Sequence, residues 1–491
     1  MSVGEFTASN IAMDMDEKEK GKGGTVDMAK LGADIAAQKE LAAKGQRSQA
    51  IEGLLNLEKM SRLAEDITAT KACCTAILDL CHDAKDWRGL EENVMLITKR
   101  RSQLKQAIQA TVRQAMSYID EVEDKEARLS LIKTLQTVTE GKIFVEIERA
   151  RLTKRLASMK EAEGKVDEAA DILQEVPVET FGAMAKTEKI AFILEQVRLC
   201  LDKKDFVRAH ILSKKVSPRA FVERRGEAQG EIGIEGTAIE EAEKDTPGLP
   251  ELKLRYYSLL IRYFVQQNNY LEVTRCYRSI YEAHLAAEEG PDKWMPVLKH
   301  VCWYLVLSPA YSTKDGSSSD RTTLLAATQS DKRLSELPVY KALLSTFTTS
   351  EVIRWTVFEA TYAPEVAAYS APGEIFSDPK RGEDLKLRVI EHNCLTAAKY
   401  YSRLRTARLA TILSLTPEQM EKHISDLVVA KAVAAKIDRP AGVITFAAPK
   451  APEEQLNAWA GNIARLLDLV DKSTQLIEKE AMVHKVALAS A

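Results

Sequence analysis

The seven cysteines and seven histidines are the residues best equipped for chemistry in this 491-residue chain, but their spacing does not form a site. Cys73, Cys74, Cys81, Cys200, Cys276, Cys302 and Cys394 contain no CxxC pair. A zinc site draws its ligands from closely spaced Cys and His pairs. Only Cys81-His82 sets the two types side by side, and the vicinal Cys73-Cys74 has no histidine in ligand spacing. Scattered thiols of odd number in helix-like segments read as reduced, buried side chains of an intracellular protein. No two histidines stand two residues apart, and no HExxH or GxSxG occurs. Gly141-Lys142 and Gly164-Lys165 lack the upstream glycine and following Ser or Thr of a phosphate-cradling loop. His392, in the run IEHNC, has no local carboxylate or nucleophile to serve as a base. The expectation is a chain with no catalytic residue, no cofactor and no metal.

Nucleic-acid binding is the other chemistry to test. It would draw on Lys422, Lys431, Lys436 and Arg439, which lie in or just after a segment, Thr416–Lys431, that resembles a recognition helix. That segment carries Glu418, Glu421 and Asp426 against Lys422 and Lys431, so it is slightly acidic. Groove-reading helices present Arg, Lys, Asn or Gln instead. The whole chain has net charge −3, whereas a protein that tracks phosphates carries a basic excess. Contacts with protein explain this helix better than contacts with DNA.

The elements that hold this segment are legible around it. Asp384–Tyr400 has a helical pattern, and Thr406–Leu413 a shorter one. Thr416 fits an N-cap, with Pro417 at the first helical position and Gln419 completing a capping box. Met420, Ile424, Leu427 and Val428 then give the buried stripe of a third helix. After Lys431 the period becomes alternating, with Val433, Ala435 and Ile437 on one face. Arg439-Pro440-Ala441-Gly442 turns the chain, and Val443, Ile444 and Phe446 lie on the returning strand. Three helices and a two-stranded β-wing make a winged helix. Its wing edge, Val433, Ala435, Ile437, Val443, Ile444 and Phe446, is the expected partner surface, because an edge strand offers free N–H and C=O groups.

Composition favours helix throughout. Hydrophobic residues make up 45%, charged residues 29% and aromatics only 6%. No apolar run approaches the ~20 residues of a membrane span, and no secretory or lipidation pattern stands at Met1-Ser2. A turn recurs upstream: a polar or glycine tip at Gly45, Lys85, Gly164, Lys204 and Asn268, with a small or apolar residue five positions later. A weaker copy lies near Asp124. A period near 40 residues in helical sequence implies stacked hairpins, an α-solenoid.

The expected organisation is a disordered tail over 1–24 and a solenoid over 25–250 that ends in a mobile, acidic, glycine-rich loop at 217–250. A helical region over 251–383 and the winged helix over 384–447 follow. Within 251–383, 294–307 is expected deep in a core. The stretch 308–329 reads as a loop with a short helical turn, 339–361 as helical, and 364–382 as a loop. The last element, a helix over 452–487, places Leu456, Trp459, Ile463, Leu466, Val470, Ser473 and Ile477 at alternating spacings of three and four. That is a heptad seam suited to a bundle with other chains.

A mostly α chain of this layout is similar to PCI-domain proteins. The segments RVIEHN, AKYYSR, SDLVVAK and AKIDRPAGVITF resemble those of a non-ATPase PCI subunit of the 26S proteasome lid, as do LLSTFTTSEVIRW before them and LNAWAGNIARLLDLVDKSTQLIEKEAMVH after them. The resemblance implies a non-catalytic scaffold subunit. Its implied partners are other PCI lid subunits, the lid deubiquitinase subunit, the ATPase ring and the core particle, with neither nucleic acid nor membrane among them. It also implies a hetero-oligomer in cytoplasm and nucleus, acting in ubiquitin-dependent degradation. A PCI subunit of the signalosome or of a translation initiation factor is the near alternative, and a nucleic-acid-binding PCI protein the more distant one.

Overall fold

The computed structural model describes residues 28–221, 242–243, 245–310, 318–446 and 452–484. The expected tail, 1–24, and most of the expected acidic loop, 222–241, lie outside these residues. The chain divides into two compact units, Met1–Gln267 and Asn268–Ala491.

The first unit consists of helices α1 Met28–Ala43, α2 Arg47–Leu63, α3 Ile67–Asp83, α4 Trp87–Lys99, α5 Lys105–Tyr118, α6 Lys125–Thr139, α7 Glu146–Ala162, α8 Val166–Gln174, α9 Lys186–Asp202, α10 Phe206–Lys215 and α11 Leu249–Gln266. Sequence neighbours pack as hairpins, and alternate helices also stack, α1 on α3, α3 on α5 and α9 on α11. This two-layer stacking makes an α-solenoid: each hairpin buries on its neighbour the apolar stripe it cannot cover alone.

The recurring tip has a backbone cause. Gly45, Lys85, Gly164, Lys204 and Asn268 all adopt positive φ, between +53° and +89°. At four of the five tips the next residue's N–H bonds back across the turn, as Asp86 N does to Cys81 O at 3.0 Å and Asp205 N to Cys200 O at 2.8 Å. This is the left-handed closure of a helix C-terminus. The same Asp86 and Asp205 then cap the next helix, accepting from Gly89 N and Arg208 N. The position five beyond the tip faces the core: Ala50, Leu90, Ala169, Ala209 and Val273 are all buried. Glu65 (φ +56°) is a further tip that the sequence pattern missed, with Asp66 capping α3 and Thr70 buried. It divides the interval from Gly45 to Lys85 into two steps of one helix each. Asp124 caps α6 without such a tip.

Buried carboxylates tie successive hairpins together. Glu188 accepts two hydrogen bonds from Arg151, at 2.7 and 2.9 Å. Glu148 accepts from Arg113 at 2.7 Å, and Glu58 from Arg62, Gln103 and Arg100. Each of these carboxylates is shut from water, so it is tolerable only with its partners in place.

The second unit begins with α12 Tyr270–Ala286 and α13 Pro291–Leu307. Helix α13 sits in the core as expected. Trp303 is fully buried there, with the rings of Phe376, Tyr340 and Tyr362 edge-on at 5.1, 6.2 and 6.3 Å. Three local expectations are corrected. Residues Ser318–Gln329 form a full helix, α14, where the sequence pattern implies a loop with a short helical turn. The helical stretch expected over 339–361 is interrupted, and forms α15 Pro338–Thr348 and α16 Trp355–Ala368. Between them, the Asn393 amide holds both the N–H and the C=O of Ile353 at 2.8 Å, which fixes an extended link. Pro364 lies inside α16, not in a loop. Buried Phe358 and Tyr362 hold that helix across the hydrogen bond the proline cannot make.

Candidate functional site

Helix α17, Pro379–Tyr400, leads into the winged helix and starts five residues earlier than its periodicity indicates. Asp378 caps it by accepting from Lys380 N at 3.0 Å, with Pro379 at the first position. Thr416-Pro417 carries the same cap-then-proline signal. Helices α18 Thr406–Leu413 and α19 Pro417–Val429 follow. The capping box on α19 is present: Gln419 N donates to Thr416 Oγ1 at 3.3 Å, and Thr416 N to Gln419 Oε1 at 3.4 Å. Met420, Ile424 and Leu427 are buried among Leu409, Leu413, Ile444 and Phe446.

The wing differs from expectation. Strands β1 Arg403–Arg405, β2 Ala435–Asp438 and β3 Val443–Phe446 form one antiparallel sheet in the order β1-β3-β2. Ile444 pairs with Leu404 on one side and Ile437 on the other. Val443, Ile444 and Phe446 therefore lie on the central strand and offer no edge. Ile444, Phe446 and Val433 also belong to the domain core. The physical reason is the strand Arg403-Leu404-Arg405, three residues long and too short to show a period. Of the six residues read as wing edge, only Ala435 and Ile437, both half-buried, stand on a strand with one side unpaired among the described residues.

The charges of α19 are partly spent within the domain. Arg439, from the β2–β3 turn, donates to Glu421 at 2.6 Å. One cation that a phosphate would need is thus engaged.

Helix α20, Pro452–His484, runs for 33 residues, and none of them is buried. Leu456, Trp459, Ile463, Leu466, Val470 and Ile477 are all exposed, with Trp459 63% exposed. Leu467, Leu469 and Leu476 flank the seam and are exposed as well. A seam traced at one residue per turn omits these three. They widen the apolar face beyond a two-stranded seam. A contiguous apolar face of this length is normally covered by a partner.

The candidate chemical residues are placed as packing residues. All seven cysteines are free and buried. Burial pushes the thiols of Cys74, Cys276, Cys302 and Cys394 up to about 12, and those of Cys73 and Cys81 to about 11. Thiols of this kind stay protonated and inert at neutral pH. His82 turns away from Cys81, stacks on Tyr118 at 4.1 Å and meets Glu121 at 2.7 Å. His392 Nε2 lies 3.0 Å from the Glu351 carbonyl oxygen, and burial lowers its pKa. Among the described residues no group of His, Cys, Asp and Glu is placed to hold a metal ion. No described helix is long and apolar enough to cross a membrane.

A helical-hairpin array, a winged helix and a long uncovered helix define a PCI-type assembly chain. Comparison with known proteins agrees along its length. The PSMD12/CSN4 N-terminal family matches residues 49–229, the PCI domain 370–447, and the 26S proteasome regulatory subunit RPN5 C-terminal domain 454–485. The 26S proteasome non-ATPase regulatory subunit 12 homolog A of Arabidopsis thaliana is 52% identical over 445 residues, covering 90% of this chain and 99% of the relative. The Dictyostelium discoideum 26S proteasome non-ATPase regulatory subunit 12 is 41% identical over 448 residues, covering 91% and 93%. Saccharomyces cerevisiae 26S proteasome regulatory subunit RPN5 is 37% identical over 444 residues, covering 90% and 93%. The chain belongs to the 26S proteasome non-ATPase regulatory subunit 12/RPN5 family, whose members are non-catalytic.

Proposed function

We propose that this chain is a scaffold subunit of the 26S proteasome lid, needed for lid assembly and for bracing the lid against the ATPase ring and core particle in ubiquitin-dependent degradation. The observation that carries the reading is α20, whose apolar face is uncovered along its whole length. Such a face is stable in water only when other helices cover it, so α20 is the element through which the chain joins a bundle. The seam residues Leu456, Trp459, Ile463, Leu466, Val470 and Ile477 make that contact. The edge of β2, at Ala435 and Ile437, is a second contact, made by strand addition to a neighbouring PCI subunit. The solenoid over 25–250 reaches the remaining partners, including the lid deubiquitinase subunit. The helical region 251–383 supports the winged helix, 384–447. The acidic α19 and the Arg439–Glu421 pair favour protein over nucleic acid as the ligand of the winged helix. A chain with these partners works in cytoplasm and nucleus.

Affinity purification from native extract, with partners identified by mass spectrometry, tests this reading. Recovery of lid and ATPase subunits is expected. Recovery of signalosome or initiation-factor subunits in their place would refute it.

A further inference from the structure

The chain contains four Ser-Pro or Thr-Pro dipeptides, at Ser217, Thr246, Ser308 and Thr416. We propose that the fold leaves Ser217 open as a phosphorylation site for a proline-directed protein kinase and closes the other three.

A kinase needs the acceptor hydroxyl within reach and the backbone around it extended. The four sites differ in both respects. Ser308 is fully buried after α13, where its hydroxyl donates to Leu305 O at 2.7 Å and accepts from Arg321 Nε at 3.1 Å. Thr416 is exposed, but its Oγ1 caps α19 and Pro417 already belongs to that helix. Extending the backbone there would unwind the turn that holds buried Met420. Thr246 is half-buried, and its N–H donates to Glu243 O at 2.8 Å. Ser217 is exposed, together with Lys214, Lys215, Pro218 and Arg219. Among the described residues its Oγ meets Arg219 N alone, at 3.4 Å. The short 3-10 turn Pro218–Phe221 that follows is closed by Ala220 N donating to Ser217 O at 2.9 Å. Opening so short a turn disturbs far less structure than unwinding a helix. Val216 and Phe221 are buried on either side, so the opening is confined to residues 217–220.

The charges around Ser217 suit the product. Lys214 and Arg219 have no ion-pair partner among the described residues. Lys215 is bound to Glu179, beyond α8, at 2.5 Å. A phosphoserine brings close to two negative charges and three acceptor oxygens, and gains charge-assisted hydrogen bonds from such cations. It also competes with Glu179 for Lys215, which weakens a tie between α10 and the segment after α8. In the transfer, Ser217 Oγ attacks the γ-phosphorus of ATP. The Oγ–P bond forms as the bond from that phosphorus to the β,γ-bridging oxygen breaks, ADP leaves, and the hydroxyl proton passes to the kinase's catalytic carboxylate.

Phosphorylation of the purified full-length chain by a cyclin-dependent or mitogen-activated protein kinase with MgATP, mapped by mass spectrometry, tests the proposal. Four peptides spanning the dipeptides are phosphorylated in parallel, and each site's rate in the chain is divided by the rate of its peptide. The quotient for Ser217 should exceed those for Thr246, Ser308 and Thr416 several-fold. Ser217→Ala should remove most of the phosphate from the chain and leave its thermal unfolding unchanged. The proposal is overturned if the Ser217 peptide is no substrate, if Ser217 stays unmodified in the chain while its peptide reacts, or if the four quotients are alike. The scaffold reading does not enter this assay and stands whichever way it falls.

Discussion

Replacing Trp459 by alanine should leave the isolated chain as stable as before and still weaken its assembly severely. Trp459 is 63% exposed on α20 and touches no core of its own chain. A tryptophan buries up to about 250 Å², so roughly 125–160 Å² of this side chain remains to be covered by a partner. At about 25 cal/mol per Å² that is worth ~3–4 kcal/mol at a fully dry interface. Alanine keeps part of the contact, so a loss of about 2–3 kcal/mol is expected, equivalent to ~30–150-fold in dissociation constant. The assay is a titration of purified chain into its partner subunits, read by native gel or light scattering. It is paired with thermal or urea unfolding of the isolated chain. Unfolding should shift by less than about 0.5 kcal/mol, as for a surface substitution. Trp303→Ala is the contrast: that ring is fully buried, and its loss should cost ~3–5 kcal/mol of stability. If Trp459→Ala destabilises the isolated chain as much as Trp303→Ala does, α20 packs on its own chain and the reasoning is wrong. Unchanged assembly would be equally damaging.

Other consequences follow from the solenoid and from the buried histidines. Arg151→Ala strands the buried Glu188 carboxylate, and should cost about 3–5 kcal/mol in urea unfolding, whereas Arg151→Met/Glu188→Met recovers most of that loss. Lys85 holds φ +53° at a hairpin tip, so Lys85→Gly should raise the urea midpoint, by about 0.5–1 kcal/mol of stability. Burial lowers the pKa of His392 below the ordinary 6.5. The unfolded chain then binds this proton more readily than the folded one, so the stabilisation is complete above pH 6.5 and is lost as pH falls through the lowered value. Thermal unfolding followed from pH 7.5 to 5 should show this acid-side loss, and His392→Gln should reduce its slope.

The sequence made the periodic and capped elements legible and hid the ones set by tertiary contact. The tips at Gly45, Lys85, Gly164, Lys204 and Asn268 could be read because one backbone geometry imposes one residue pattern: a left-handed tip and a core residue one turn later, with a side-chain cap between them at Asp86, Asp205 and Asn269. Glu65 escaped because its core position five residues later, Thr70, is polar. The Thr416-Pro417 cap was visible, while the equivalent Asp378-Pro379 was absorbed into a run of prolines and glycines read as a loop. Strand β1 is three residues long, too few to alternate, so the central position of β3 could not be seen, and the wing edge was drawn one strand too wide. The break between α15 and α16 depends on Asn393, some 40 residues away, which no local pattern reveals. The seam of α20 was legible from its heptads, whereas Leu467, Leu469 and Leu476 show as part of the same face only once the whole helix is seen to be uncovered.

The most direct test of the scaffold role is incorporation of a chain lacking Leu456–Ala491. Expressed in place of the full chain, it should fold with the helical content and unfolding midpoint of its solenoid intact, yet be absent from lid complexes recovered through another subunit. Recovery of that shortened chain in the lid at the level of the full one would contradict the account.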